Sequence, residues 1–125
     1  MGAKILVVED DPDVMRILTH ALTAVGHEVT PAYGGEDALR QIKAQDFDLV
    51  LTDLAMPEVS GVSVIHAIKQ DPLTKHIPVL AVTAHVDDGI AQFAGQAGCD
   101  GYVSKPFSAK ELVQAVHKRL RPSAA

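Results

Sequence analysis

Short runs of apolar, β-favouring residues alternate five times with segments of helical spacing, and this alternation constrains the fold more than any other feature. Ile5 to Val8, Leu49 to Leu51 and Val79 to Val82 are continuous apolar runs, the pattern of strands buried on both faces. His27 to Thr30 and Gly101 to Val103 are shorter candidates. Between them, Val14, Ile17, Leu18, Ala21, Leu22 and Val25 form an apolar stripe, with Pro12 placed for a first helical turn and Gly26 for a C-terminal stop. Ala38, Leu39 and Ile42 mark a second helix, and Val62, Ile65 and Ile68 a third. Ile90, Phe93, Ala94 and Ala97 mark a glycine-diluted fourth, and Leu112, Val113, Val116 and Leu120 a fifth opened by a Ser108–Glu111 capping box. Five strand–helix repeats are most economically an α/β fold, a parallel sheet with right-handed crossovers and helices on both faces. In such a sheet, chemistry belongs beyond the carboxyl ends of the strands.

Those ends carry a distinctive set of side chains. The first strand runs into Glu9, Asp10 and Asp11, and the third into Thr52 and Asp53. The fourth leads to Thr83, and the fifth to Ser104, Lys105 and Pro106. Asp11 reads as a helix cap because Pro12 follows it. Taken singly, each group has an ordinary structural explanation; together, at four of five strand ends, they suggest a site. Clustered carboxylates repel and raise one another's pKa, and a divalent cation relieves the repulsion. An all-oxygen set favours Mg2+ or Mn2+, which keeps room for phosphate oxygens. An added ammonium and hydroxyl suit a phosphoryl group in transfer, with carboxylate as a possible nucleophile.

Composition narrows the alternatives. The chain has 125 residues, enough for one core, with 47% hydrophobic and 22% charged residues. The net charge of -5 argues against nucleic acid or an anionic membrane as the main partner. No apolar run approaches the roughly 20 residues that span a bilayer, and the N-terminal stretch lacks a signal-peptide layout. Cys99 is the sole cysteine, which excludes an intrachain disulfide and a multi-cysteine zinc site and fits a reducing, cytoplasmic setting. The six histidines, His20, His27, His66, His76, His85 and His117, are scattered and read as surface or helix-end residues, with only His85 near the site. Phe47, Phe93 and Phe107 are expected in core or interface positions, and Cys99 as a partly buried packing residue.

The sequence resembles the receiver domain of two-component response regulators, the CheY-like family, from about Lys4 to Leu120. The matching pieces are Ile-Leu-Val-Val-Glu-Asp-Asp at 5–11, Asp-Leu-Val-Leu-Thr-Asp-Leu-Ala-Met-Pro at 48–57, Gly61, Val-Thr-Ala at 82–84 and Tyr-Val-Ser-Lys-Pro-Phe at 102–107. The stretch 98–106 is similar to stand-alone cell-cycle regulators, without deciding whether this receiver stands alone or belongs to a longer protein. The resemblance implies a flavodoxin-like (βα)5 fold with strand order 2-1-3-4-5, a receiver over 1–121 and a tail over 122–125. It implies Asp53 as phosphoacceptor, Mg2+ (or Mn2+) held by Asp10, Glu9, Asp53 and the Ala55 carbonyl, and Lys105 paired with the phosphoryl group. Thr83 would hydrogen-bond the phosphoryl group, Tyr102 would be the aromatic switch, and the Lys105–Pro106 bond would be cis. The implied partners are a sensor histidine kinase or histidine phosphotransfer protein and a downstream protein target, met through the fourth helix, fifth strand and fifth helix. The protein would be a monomer or a phosphorylation-dependent dimer, acting as a switch rather than an enzyme on other substrates. Glu9 where Asp is usual, Val59 and Ser60 before Gly61, and the variable positions Ala55 and His85 bear on phosphoryl lifetime.

Three rivals compete. An aspartyl phosphohydrolase would want a second Asp where Ala55 stands. A flavin carrier would want a Ser/Thr/Gly loop in place of Glu9-Asp10-Asp11, which would repel the flavin phosphate. A receiver-like module that binds partners without phosphate would need no such site.

Overall fold

The computed structural model describes residues 2–54, 60–84 and 89–120, apart from the side chains of residues 90 and 91. The elements alternate as expected: β1 (Lys4–Val8), α1 (Pro12–Thr23), β2 (Glu28–Ala32), α2 (Gly35–Ala44), β3 (Leu49–Asp53), α3 (Gly61–Gln70), β4 (Val79–Thr83), α4 (Gly89–Ala97), β5 (Gly101–Ser104) and α5 (Ala109–Arg119). All strand pairs are parallel, in the order β2-β1-β3-β4-β5. This is the flavodoxin-like arrangement the resemblance implied.

Alternation along the strands sorts the core into two layers. Ile5 and Val7 of β1, Leu49 and Leu51 of β3, and Leu80 and Val82 of β4 pack with Met15, Leu18 and Leu22 of α1 and Leu112 and Val116 of α5. Leu6, Val8, Val50, Val79 and Ala81 point the other way, onto Ile42 of α2, Val64, Ile65 and Ile68 of α3, and Ala94 of α4. The three central strands are therefore apolar on both faces, which is why they read as continuous hydrophobic runs. The edge strands β2 and β5 are partly exposed.

Local signals explain the helix ends. Asp11 caps α1 by accepting from the Asp13 and Val14 amides, and Pro12 follows in the first turn. Past α1, the Gly26 amide donates to the Thr23 carbonyl and the His27 amide to the Leu22 carbonyl, with Gly26 at φ +94°. That is a Schellman closure, and the left-handed conformation favours glycine there. The Ser108–Glu111 capping box opens α5 as the sequence indicates.

Two expected core residues are corrected. Ile17 and Val25 are 58% and 47% exposed, and Met15 takes the buried position in α1. The α1 stripe is rotated because the helix must serve both the sheet and α5. Phe47 is buried as expected, whereas Phe93 is 62% exposed and contributes nothing to the core. The boundary between domain and tail at 121/122 lies outside the described residues. No helix among the described residues is long and apolar enough to cross a membrane.

Candidate functional site

The parallel register brings the strand ends to one edge. Val8 pairs with Thr52, Asp53 with Val82, and Thr83 with Ser104, so the residues that follow each strand emerge side by side. Glu9 and Asp10 leave β1 next to Asp53 of β3, where the strand order reverses, the usual place for a binding crevice. The Glu9 amide donates to the Ala32 carbonyl at 3.0 Å, fixing the exit from β1. The Lys105 amide donates to the Thr83 carbonyl at 2.8 Å, tying the loop after β5 to β4. The Lys105–Pro106 peptide is cis, as the resemblance implied.

Carboxylate oxygens of Glu9, Asp10 and Asp53 all lie within 4.8 Å of one another, the one such group of metal-ligating side chains among the described residues. Asp10 is exposed, whereas Glu9 is 1% and Asp53 8% exposed. The Lys105 ammonium sits 3.4 Å from Glu9 Oε1 and 3.6 Å from Asp53 Oδ1. Burial pushes the Glu9 carboxyl up to about 7, and the Asp53 charge and a hydrogen bond with Asp10 add to the rise. The Asp11 amide, which donates to Glu9 Oε2 at 3.1 Å, and Lys105 oppose it without cancelling it. Among the described residues, one ammonium faces three carboxylates, an excess of negative charge. The all-oxygen donor set fits a hard divalent cation, and Glu9, Asp10 and Asp53 would hold it.

Thr83 is 8% exposed at the end of β4, one step beyond Val82, the partner of Asp53. Tyr102 of β5 pairs with Ala81 of β4 and is 37% exposed; its hydroxyl lies beside Gly95 of α4. Burial raises its pKa, against an opposing hydrogen bond from the Gly95 backbone. Ala55 and His85 lie outside the described residues.

Two residues acquire roles that composition and periodicity did not show. Thr52 Oγ1 donates to the Asp53 carbonyl at 3.0 Å from a fully buried position. Gly61, noted before only as part of a motif, opens α3 directly against the phosphoacceptor candidate. A Cβ there would stand 2.0 Å from the Asp53 carbonyl oxygen and 2.7 Å from Leu54 Cα, and the Gly61 amide donates to the Leu54 carbonyl. Its sequence signal was its place in the family motif, and the structure adds that Ser60 before it caps α3.

A doubly wound sheet with an acidic cluster and a lysine at its switch point defines a class of α/β phosphoryl-handling or cation-binding domain. Comparison with known proteins resolves the class. Residues 5–117 match the response regulator receiver domain, and the chain belongs to that family. It is 34% identical over 120 residues to the polar-differentiation response regulator DivK of Brucella ovis, covering 96% of this chain and 98% of that protein. Its fold is similar to chemotaxis response regulator CheY4 of Vibrio cholerae, with a TM-score of 0.91, 28% identity, and coverage of 96% of this chain and 100% of that one. It is also similar to the receiver domain of the sensor histidine kinase PA1611 from Pseudomonas aeruginosa, whose structure has a magnesium ion coordinated in the active-site cleft. There the TM-score is 0.89, with 30% identity and coverage of 95% and 98%. The protein is thus a response regulator receiver domain of two-component signalling.

Proposed function

We propose that Asp53 accepts a phosphoryl group from the phosphohistidine of a sensor histidine kinase or histidine phosphotransfer protein. The observation that carries this is the Lys105 ammonium held between Glu9 and Asp53 within a cluster of three carboxylates. A carboxylate oxygen of Asp53 attacks phosphorus in line. The P–N bond to the donor imidazole breaks, and its electron pair returns to the ring nitrogen, which takes a proton from solvent. Mg2+ or Mn2+, when bound, would supply charge neutralisation for the transferring phosphoryl group. Glu9, Asp10 and Asp53 would hold that cation, with the Ala55 carbonyl as the further ligand that the family resemblance implies. Lys105 compensates the added charge, and the Thr83 hydroxyl donates to a phosphoryl oxygen.

The acyl phosphate adds negative charge and strong acceptors at the end of β3, which draws Thr83 and Lys105 toward it. Tyr102 repacks as β4 and α4 shift, and a downstream protein reads the change on the α4-β5-α5 face. The same reading gives a cytoplasmic switch, monomeric or dimerising on phosphorylation, with no substrate beyond its own acceptor.

Intact mass after incubation with a small phosphodonor and Mg2+ tests the assignment. One phosphoryl adduct is expected in the wild type, absent in Asp53→Asn and suppressed by EDTA. An adduct of equal stoichiometry in Asp53→Asn would overturn it.

A further inference from the structure

Two imidazoles meet at the edge where the strands begin, the opposite end of the sheet from Asp53. His27 precedes β2 and is 8% exposed, and His117 lies in the last turn of α5. Their Nε2 atoms are 2.9 Å apart, with the rings edge-to-face at 79°. This corrects the reading of the histidines as scattered. His27 and His117 are 90 residues apart in the chain, and tertiary packing of α5, which lies against α1 and β5, joins them.

One further bond makes the pair directional. The Ala3 backbone amide donates to His27 Nδ1 at 3.0 Å. A backbone amide can only donate, so Nδ1 carries no proton. Neutral His27 is then protonated on Nε2 and donates to His117 Nε2, and His117 must carry its own proton on Nδ1. Each ring has one tautomer that fits, and neither has room for a second proton. A proton on His27 Nδ1 evicts the Ala3 amide; a proton on His117 Nε2 sets two N–H groups against each other. Coordination of a metal through His27 Nε2 would likewise demand an imidazolate or loss of the Ala3 bond, so the pair is poorly arranged as a metal seat.

We infer that His27 and His117 form a proton-sensitive latch. It fastens the last turn of α5 to the starts of β1 and β2 while both rings are neutral; a proton on His27 Nδ1 frees the Ala3 amide, and a proton on His117 Nε2 frees α5. The surroundings supply no compensation for a cation. The ion pairs among the described residues include no histidine. On β1 the Lys4 ammonium is turned over the Phe47 ring. On β2 the nearest carboxylate in sequence, Glu28, is exposed. On α5, Lys118 and Arg119 follow His117, and Arg119 lies over Gly101 of β5. Burial and the neighbouring His117 hold the His27 pKa below the usual 6.5. The native state therefore binds fewer protons than the unfolded chain as pH falls through that value. The latch's contribution is present above about pH 6.5 and is lost on acidification.

Nitrogen-15 NMR of the histidine rings in the intact chain, with EDTA present, tests the tautomers directly. At about pH 7.5 the proton is expected on Nε2 of His27 and on Nδ1 of His117. A proton on His27 Nδ1 would overturn the inference with no variant needed. Hydrogen exchange then tests release. Between about pH 7.5 and pH 5, protection of the α5 amides from Val116 onward is expected to fall about tenfold more in the wild type than in His117→Gln. The glutamine carbonyl can still accept from His27 Nε2, and it does not titrate. Equal loss in both proteins would remove the latch. Neither readout depends on phosphorylation of Asp53, so failure here leaves the phosphoacceptor assignment standing.

Discussion

The two ends of the sheet are built on opposite electrostatic principles. Where the strands begin, polar side chains answer specific backbone or charged partners. Asp48 accepts from the Lys4 amide at 2.7 Å, Asp100 from the Val79 amide at 2.8 Å, and His27 from the Ala3 amide. Lys69 reaches across from α3 to the Ile77 carbonyl at 2.7 Å, the Lys75 carbonyl at 3.2 Å and Asp100 at 2.9 Å. Where the strands finish, the Lys105 ammonium lies against Glu9 and Asp53 of a three-carboxylate cluster, and burial raises the Glu9 carboxyl to about 7. Among the described residues, polar groups at one end are matched by specific partners, whereas at the other carboxylates outnumber ammonium groups. The contacts that hold the strand starts and the acidic cluster thereby sit at opposite ends of the sheet, the cluster where a cation and a phosphoryl group would change its charge balance.

Removing a charge should have opposite consequences at the two ends. Lys69→Met strands Asp100 and two carbonyls, and urea unfolding should show a loss of roughly 3 kcal/mol. A change too small to measure would deny that the strand-start end is held by these contacts. Gly61→Ala drives a Cβ into the Asp53 carbonyl, and a loss of about 2–3 kcal/mol is expected together with slower phosphorylation. A variant that keeps wild-type stability and rate would remove Gly61 from the positioning of Asp53.

Glu9→Gln should instead stabilise the cation-free protein above neutral pH, by about 2 kcal/mol. Because its folded pKa is raised from 4.5 to about 7, the native state holds this proton more tightly than the unfolded chain. Wild-type stability in EDTA should therefore fall as pH rises through that interval relative to Glu9→Gln, and millimolar Mg2+ should restore much of it. Parallel pH profiles for the two proteins would mean that Glu9 is not strained. Ser108→Ala, at the start of α5 in the loop that follows Lys105, should cost only about 1 kcal/mol through loss of the capping box. A larger effect would point to a wider role for the loop after Lys105.

Much of this was legible in the chain. The runs at 5–8, 49–51 and 79–82 announced doubly buried strands because apolar residues on both faces leave no alternation. Pro12, Gly26 and the Ser108–Glu111 pair marked helix ends through backbone chemistry that acts over a few residues. Glu9, Asp10, Asp53 and Lys105 were recoverable because a parallel sheet sends every strand end to the same edge. Ile17 and Met15 were exchanged because helical periodicity defines a stripe only within one position or so. Which residue of that stripe faces inward depends on where α5 and the sheet lie.

The sequence alone determined the order of elements, the two-layer core and the edge at which the charged residues gather, since each follows from local periodicity and the geometry of parallel crossovers. Tertiary structure decided what no local rule can carry. It set the distances that leave Lys105 between two carboxylates, the contact that excludes a Cβ at Gly61, and the meeting of His27 with His117. Those depend on ångström-scale approaches between elements remote in the chain, and such approaches are set by packing rather than by pattern.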